Sequence, residues 1–159
     1  MDIQFKIAAS QLEFEHGKTL FQLYVDQLGV DLSFQNFKDE LESLATQYNK
    51  PDGALIIAYA GETAIGCVAI RKLDAQIGEL KRMFVLPDYR KYKIGKKLLE
   101  ESIRTATALG YKKIRLDTLP TMTAAQNLYR QYGFYEIPPY RFNPIEGTIF
   151  MEKLLSDTA

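Results

Sequence analysis

The chain has few of the residues from which covalent or metal-centred sites are usually built. Its 159 residues include one cysteine, Cys67, one histidine, His16, and no tryptophan. A single cysteine excludes an intrachain disulfide, and one cysteine with one histidine excludes a zinc site of the usual Cys/His type. Cys67 lies in the apolar run 65–70, which predicts a small buried side chain. His16 lies in a polar part of the first helical segment and is a weak candidate for catalysis.

Net charge and long apolar runs are also absent. Lys plus Arg equals Asp plus Glu at 20 each, whereas a general nucleic-acid binder is usually basic. The longest strongly apolar run, residues 54–60, is too short to span a bilayer, and the N-terminus carries no apolar signal core. We therefore expect a cytoplasmic protein with neither nucleic acid nor membrane among its partners. The length suits one domain over residues 1–159.

Hydrophobic periodicity predicts the element order β-α-α-β-β-β-α-β-α-β-β. Ile3 to Ala9 alternates as a strand, and Ser10 with Glu13 matches a capping box at the start of the first helix. A second helix is predicted from Phe34 to Ala45. Three strands in series followed by strand–helix alternation predict one α/β domain with a mixed sheet. In that sheet the N-terminal strands are antiparallel, the central strands are parallel, and helices cover both faces.

The stretch from Gly78 to Gly110 passes from a strand through a basic turn into a helix. Alternation along the strand predicts Glu79, Lys81 and Met83 on one side and Leu80, Arg82 and Phe84 on the other. A cluster of cations spans the strand and the turn: Lys81, Arg82, Arg90, Lys91, Lys93, Lys96 and Lys97. Such a cluster is either a solvated basic face or an anion site, because the free N–H groups of a helix N-terminus bind phosphate.

Two partial motifs in this sequence resemble those of the GNAT superfamily of acyl-CoA-dependent N-acetyltransferases. Motif A of that superfamily is a strand, then [Arg/Gln]-x-x-Gly-x-[Gly/Ala], then a helix. Here Arg90 takes the first position and Gly95 the last, while Lys93 replaces the middle glycine. Downstream, the family's Ala-x-x-Leu-Tyr-x-x-x-Gly-Phe pattern is reproduced by Ala125, Leu128, Tyr129, Gly133 and Phe134. Met122 stands where the family usually has asparagine, and the element order matches from Ile3 to Leu154.

The resemblance implies an enzyme that moves an acetyl group from acetyl-CoA to a primary amine, with no metal. The implied cofactor-binding residues are Met83, Phe84, Val85, Arg90, Lys91, Lys93, Ile94, Gly95, Lys96, Thr118 and Ala125. Of the implied catalytic residues, Tyr129 would stabilise or protonate the departing thiolate and Glu79 would act as the base, directly or through water. If position 93 needs a positive φ, lysine costs about 1 kcal/mol there relative to glycine.

The acceptor site is expected between the early helices and the loop before the last strand. Its candidate residues are Phe34, Tyr140, Arg141 and Phe142, with Arg141 available to an acceptor carboxylate. The aromatic residues of that region also make a homodimer a possible assembly. Two other functions stay open at this point. One is a non-catalytic CoA-binding or interaction module with the same fold, and the other is a nucleotide- or RNA-binding protein that uses the basic turn.

Overall fold

A computed structural model describes residues 2–29 and 36–155. Within them it contains seven strands, five α-helices and a 3₁₀ helix, Pro87–Tyr92. The strands are Ile3–Ile7 (β1), Ala54–Ala60 (β2), Thr63–Asp74 (β3), Ile77–Val85 (β4), Lys113–Thr118 (β5), Tyr135–Ile137 (β6) and Ile149–Leu154 (β7). The helices are Gln11–Leu28 (α1), Phe37–Glu42 (α2), Leu44–Gln47 (α3), Ile94–Ala108 (α4) and Thr123–Gln131 (α5). None of the helices in these two ranges is long and apolar enough to cross a membrane.

The seven strands form one mixed sheet in the order β1-β2-β3-β4-β5-β7-β6. All neighbouring pairs are antiparallel except β4 and β5, which run parallel. That parallel pairing covers only Ile77–Glu79 against Lys113–Arg115. Beyond it, both strands continue without further pairing to each other in the described part of the chain. The sheet therefore opens at its centre, where β4 and β5 separate.

Each face of the sheet carries its own apolar core. One core includes Ile56, Val68, Leu98, Leu99 and Ile114, and it packs the sheet against α4 and α5. The other joins α1 and α3 to the same strands through residues such as Phe14, Phe21, Leu44, Leu55 and Cys67. Cys67 is fully buried, as predicted. The α/β fold with a mixed sheet and helices on both faces is confirmed.

The capping box of the first helix is confirmed, whereas the predicted extent of the second helix is wrong. Ser10 and Glu13 form the capping box, and Gly29 closes α1 in the left-handed region at φ 66°. The single helix predicted from Phe34 to Ala45 is wrong within the described residues, because Ser43 separates α2 from α3. The Ser43 hydroxyl donates to the Asp39 carbonyl at 2.7 Å, a contact that bends helices. Residues 30–35, and with them the start of that predicted helix, lie outside the described residues.

Strict alternation along β4 is also wrong, because the strand contains a bulge. Lys81 is opposite Ala69 and Phe84 is opposite Cys67, so Arg82 and Met83 together face a single residue of β3. Arg82 has φ 59°, a left-handed conformation that resets which face the following side chains occupy. As a result Leu80 and Phe84, predicted on one side, lie in opposite cores.

Candidate active site

A cleft of about 450 Å³ opens where β4 and β5 separate. Its walls are the C-terminal end of α1, the bulged half of β4, the start of α4 and the start of α5. The residues lining it are Tyr24, Gln27, Leu28, Met83, Phe84, Val85, Arg90, Gly95, Thr121, Met122, Thr123, Ala124, Ala125 and Leu128. The structure thus brings together six of the residues predicted to bind the cofactor: Met83, Phe84, Val85, Arg90, Gly95 and Ala125.

The early end of the β4–β5 pairing explains why β4 can offer backbone groups to a ligand. Past Glu79 the β5-facing edge of β4 pairs with no strand in the described residues, so that edge borders the cleft instead. The bulge at Arg82 adds a local twist, while Phe84 and Val85 stay paired with Cys67 and Gly66 of β3 on their other edge. An extended ligand with amide groups could therefore lie along the β5-facing edge as an additional strand would.

The turn that precedes α4 has the predicted strained position. Lys93 has φ 59° and ψ 31°, so the site where the family has glycine does require a left-handed residue. Ile94, the first residue of α4, is buried, which holds the helix N-terminus beside the strand end. Lys91, Lys93 and Lys96 are exposed around it. Exposed cations at a helix N-terminus are suited to phosphate groups.

Arg90 has a structural contact in addition to its predicted role. Its guanidinium Nε donates to the Val85 carbonyl at 3.0 Å, and its Nη2 donates to Gln27. The side chain therefore ties the basic turn to the end of β4 and to α1 while still lining the cleft. Its use for phosphate stays a prediction.

Lys81 and Arg82, however, are not part of an exposed basic face. Both are buried, with 6% and 7% of their surfaces exposed. Arg82 donates from Nε and Nη2 to the two oxygens of Glu40 at 3.0 and 2.7 Å, and Tyr48 donates to the same carboxylate at 3.0 Å. The basic cluster therefore divides into exposed cations at the turn and buried cations on the strand. Alternation in the sequence gave no sign of this division.

A smaller chamber of about 50 Å³ adjoins the cleft on the inside of the strand separation. It shares Tyr24, Met83, Met122 and Ala125 with the cleft. Its other lining residues are Leu80, Lys81, Arg82, Leu116, Asp117, Thr118 and Tyr129. The predicted residues Thr118 and Tyr129 therefore lie at the inner end of the cofactor cleft. The volume suits one or two waters or a small chemical group.

The electrostatics of the chamber favour the neutral forms of Tyr129 and Lys81. Burial, together with smaller effects of Tyr24 and Asp117, raises the pKa of Tyr129 above its ordinary value, so the phenol stays protonated. Burial is also the largest cause that lowers the pKa of Lys81 from 10.5 to about 7. The charges of Arg82 and Arg71 add to that effect, and those of Glu40 and Asp117 oppose it.

Glu79 lies outside the linings of both the cleft and the chamber. Its carboxylate is fully buried and accepts hydrogen bonds from Arg71 Nε at 2.9 Å and from the Tyr140 hydroxyl at 2.7 Å. Arg141 pairs with the same carboxylate oxygen as Tyr140. Its role as a base stays a prediction, and the structure adds that both of its oxygens are engaged.

The candidate acceptor residues are only partly brought together. Tyr140 and Arg141 meet at Glu79, and the Tyr140 ring packs edge-on against Phe150 with 5.1 Å between centroids. Phe142 is 77% exposed and Phe34 lies outside the described residues. Sequence reasoning assigned no site role to Asp117 or Tyr24, and it included Lys81 only in the cluster of cations that spans the strand and the turn.

At Met122, the position of the missing asparagine, other side chains hold the start of α5. Gln126 Nε2 donates to the Leu119 carbonyl at 2.7 Å, which fixes the loop before the helix. The Thr118 hydroxyl lies 3.9 Å from the Met122 sulfur. The asparagine is therefore not needed to place this helix beside the cleft.

A central strand that is bulged, a neighbour that separates from it, and a helix N-terminus at their junction define an acyl-CoA N-acetyltransferase fold. The sequence profile of the acetyltransferase (GNAT) family matches residues 18–134. The chain belongs to that family. It is 38% identical over 146 residues to an uncharacterized N-acetyltransferase of Schizosaccharomyces pombe, covering 91% of this chain and 90% of the other.

Solved structures agree with this assignment. A GNAT family acetyltransferase of Staphylococcus aureus Mu50 superposes with a TM-score of 0.79 at 27% identity, covering 98% of this chain and 100% of the other. A GNAT family acetyltransferase of Elizabethkingia anophelis with acetyl-CoA bound superposes with a TM-score of 0.68 at 23% identity, covering 96% and 98%.

Proposed function

We propose that the protein transfers the acetyl group of acetyl-CoA to the primary amine of a small molecule, by direct attack of the amine on the thioester. One observation carries the proposal. The residues predicted from two separate motifs line one cleft, at the point where the central strands separate. Family membership supports the reaction class, and the acetyl-CoA complex of the E. anophelis relative supports the co-substrate.

Acetyl-CoA would lie along this cleft with its phosphates at the start of α4 and its thioester at the chamber. Its phosphates would meet the backbone N–H groups that open α4 and the exposed cations Lys91, Lys93 and Lys96. The pantetheine arm would follow β4 from Val85 to Met83, where an N–H group could polarise the thioester carbonyl. The thioester would then lie at the chamber, beside Tyr129 and Thr118.

Tyr129 would interact with the sulfur of CoA as it leaves. A neutral tyrosine has an ordinary pKa near 10, against about 8.5 for a thiol. Burial raises the pKa of Tyr129 further, so full transfer of its proton to the thiolate is uphill. A hydrogen bond from the phenol to the developing thiolate is the role that these energies favour. The proton on the free thiol then comes from the attacking amine.

A thiol-release assay with a panel of small primary amines tests the proposal. We expect acetyl-CoA to be consumed with at least one amine, together with the N-acetyl product by mass spectrometry. The alternative, a CoA-binding module without turnover, is favoured by the departures at Lys93 and Met122. That alternative would be established if CoA binds in calorimetry but no thiol is released from acetyl-CoA with any amine of the panel, with lysine peptides or with peptides that have a free N-terminus. A cytoplasmic location and a homodimer stay predictions.

A further inference from the structure

Lys81 is a buried titratable group that the roles assigned so far leave unused. It lies on β4 between the last residue paired with β5, Glu79, and the bulge at Arg82. Only 6% of its surface is exposed, and it lines the chamber that also contains Tyr129 and Thr118. Because that chamber adjoins the inner end of the cleft, Lys81 and Tyr129 lie on the same small space where the thioester is expected.

Charged and titratable groups face Lys81 from several elements. Two cations lie on the sheet, Arg71 on β3 and Arg82 next to Lys81. Two carboxylates act on Lys81 through their charge, Asp117 on β5, which lines the chamber, and Glu40 on α2, which does not. The phenols of Tyr24 on α1 and Tyr129 on α5 complete the set. Glu40 is already paired with Arg82, so the environment of Lys81 combines burial with nearby positive charge. Both effects favour the neutral amine over the ammonium form.

Resting on the proposed function, we propose that the amine of Lys81 is the base that takes the proton from the acceptor's ammonium group. At neutral pH an aliphatic acceptor is almost entirely protonated and cannot attack until it loses that proton. A neutral lysine amine beside the thioester can accept it, directly or through one water, since the chamber of about 50 Å³ has room for a water. Burial and the two arginines bring the pKa of Lys81 to about 7, which matches a base that works near neutrality.

The protons and bonds of the reaction balance with Lys81 in this role. The acceptor ammonium gives one proton to Lys81 Nζ and becomes a free amine. The amine nitrogen forms a bond to the carbonyl carbon, the carbon–sulfur bond then breaks, and CoA leaves as a thiolate hydrogen-bonded to Tyr129. The nitrogen loses its second proton to the thiolate, which gives the amide and the free thiol. The Lys81 ammonium returns its proton to solvent before the next cycle.

Lys81 fits this role better than Glu79 does. The Glu79 carboxylate accepts from Arg71, Tyr140 and Arg141 and lines neither the cleft nor the chamber. Lys81 lies two residues beyond Glu79 on β4, past the last residue that pairs with β5, and it lines the chamber.

The first experiment is a pH–rate profile at saturating acetyl-CoA, with the amine that gives the highest turnover in the panel. We expect wild-type turnover to rise with pH and to level off above about 7, the pKa of Lys81. Lys81→Met should lower turnover by about 100-fold or more, the usual contribution of a positioned base. Lys81→Arg places a side chain that stays protonated at this position. It should lower turnover by the same factor as Lys81→Met and remove the inflection near pH 7.

Two measurements keep the result interpretable. The affinity for CoA, measured by calorimetry, should stay within about threefold of wild type in both variants, which shows that the fold and the cleft persist. Lys72→Met, at an exposed position of β3, is the matched control. Independently of turnover, an NMR titration of ¹³C-lysine-labelled protein, assigned by Lys81→Met, should show a Cε signal with a midpoint near 7.

The outcomes separate this inference from the function on which it rests. An active wild type whose Lys81→Arg variant keeps its rate and its inflection overturns the role of Lys81 alone. A Lys81 midpoint near the ordinary lysine value of about 10.4 does the same. Loss of the inflection in Glu79→Gln, with Lys81→Met unaffected, assigns the base to Glu79. A wild type that turns over no amine overturns the proposed function, and the role of Lys81 with it.

Discussion

Arg82 and Lys93 stand at the two ends of the segment that forms the mouth of the cleft, and they share one backbone conformation. Both have φ 59°, where a residue with a β-carbon is strained by roughly 1–2 kcal/mol. Their side chains differ completely. Arg82 is buried in a two-point ion pair with Glu40 and lies over the Phe37 ring at 5.6 Å. Lys93 is exposed at the start of α4.

The difference shows two ways to hold a strained residue at a functional site. At Arg82 the side chain supplies the compensation, because α2 anchors the bulge through Glu40. At Lys93 the compensation comes from the chain on either side, the 3₁₀ helix before it and α4 after it. Replacing each residue by glycine removes the backbone strain in both cases. The two substitutions should therefore have opposite effects on stability.

Arg82→Gly should have the larger effect, and it should be destabilising. Breaking a buried ion pair on one side typically costs 3–5 kcal/mol, because the remaining charge is buried without its partner. Relief of the strain at φ 59° offsets about 1 kcal/mol of this loss. We expect the free energy of unfolding in urea to fall by about 2–4 kcal/mol.

A double-mutant cycle with Glu40→Leu checks the cause. Once Glu40 is apolar, Arg82→Gly no longer leaves a buried charge unpaired, so the double variant should be more stable than the sum of the single effects predicts. Additive losses would mean that the bulge, and not the ion pair, needs the arginine side chain.

Lys81, the neighbour of Arg82, extends the comparison because it is a buried lysine whose pKa is lowered to about 7. Between about pH 7 and 10.5, folded Lys81 is neutral and unfolded Lys81 is protonated. The unfolded state therefore binds more protons, and the contribution of Lys81 to stability increases as pH rises, by up to about 1.4 kcal/mol per pH unit.

Lys81→Met removes that dependence. At pH 7 the variant should be more stable than the wild type, and the difference should shrink steadily towards pH 9.5. Urea unfolding of both proteins at half-unit pH steps measures it. Parallel stability curves for the two proteins would show that Lys81 is an ordinary lysine in the folded state.

Tyr129→Phe tests the chamber from its other side. Loss of the hydrogen bond to the thiolate should lower turnover roughly tenfold or more, because a hydrogen bond to a charged group contributes about 1.5–3 kcal/mol. Affinity for acetyl-CoA should stay nearly intact, because the ring still packs against Phe134. Unchanged turnover would remove Tyr129 from the mechanism. A matched loss of CoA affinity would instead indicate that the phenol supports the cleft wall.

The features that the sequence predicted well depend on local patterns, and those it missed depend on distant partners. Ser10 with Glu13 is a contact three residues apart, and the motif around Gly95 sits on one strand–helix junction. The Arg82–Glu40 ion pair joins residues 42 positions apart in the sequence. The bulge adds one residue to β4, so an alternation of period two does not predict the faces of the residues after it. Glu79 lies near the start of a strand, so the sequence alone makes it either a candidate base or a solvated carboxylate. It is buried because Tyr140 and Arg141, 61 and 62 positions later in the sequence, contact it.

Lys93→Gly should give the smallest effect, and it should be stabilising. Glycine removes the strain of the left-handed conformation, about 1 kcal/mol, but it also makes the unfolded chain more flexible, which takes back roughly half of that gain. We expect a net increase of about 0.5 kcal/mol, or a rise in Tm of about 1–2 °C for a domain of this size. Lys93→Ala is the matched control, because it removes the same charge and keeps the β-carbon. It should show no such increase. Both variants should weaken CoA binding equally if the lysine charge serves phosphate, whereas tighter binding by the glycine variant alone would mean that the side chain hinders the approach of the phosphate to the turn.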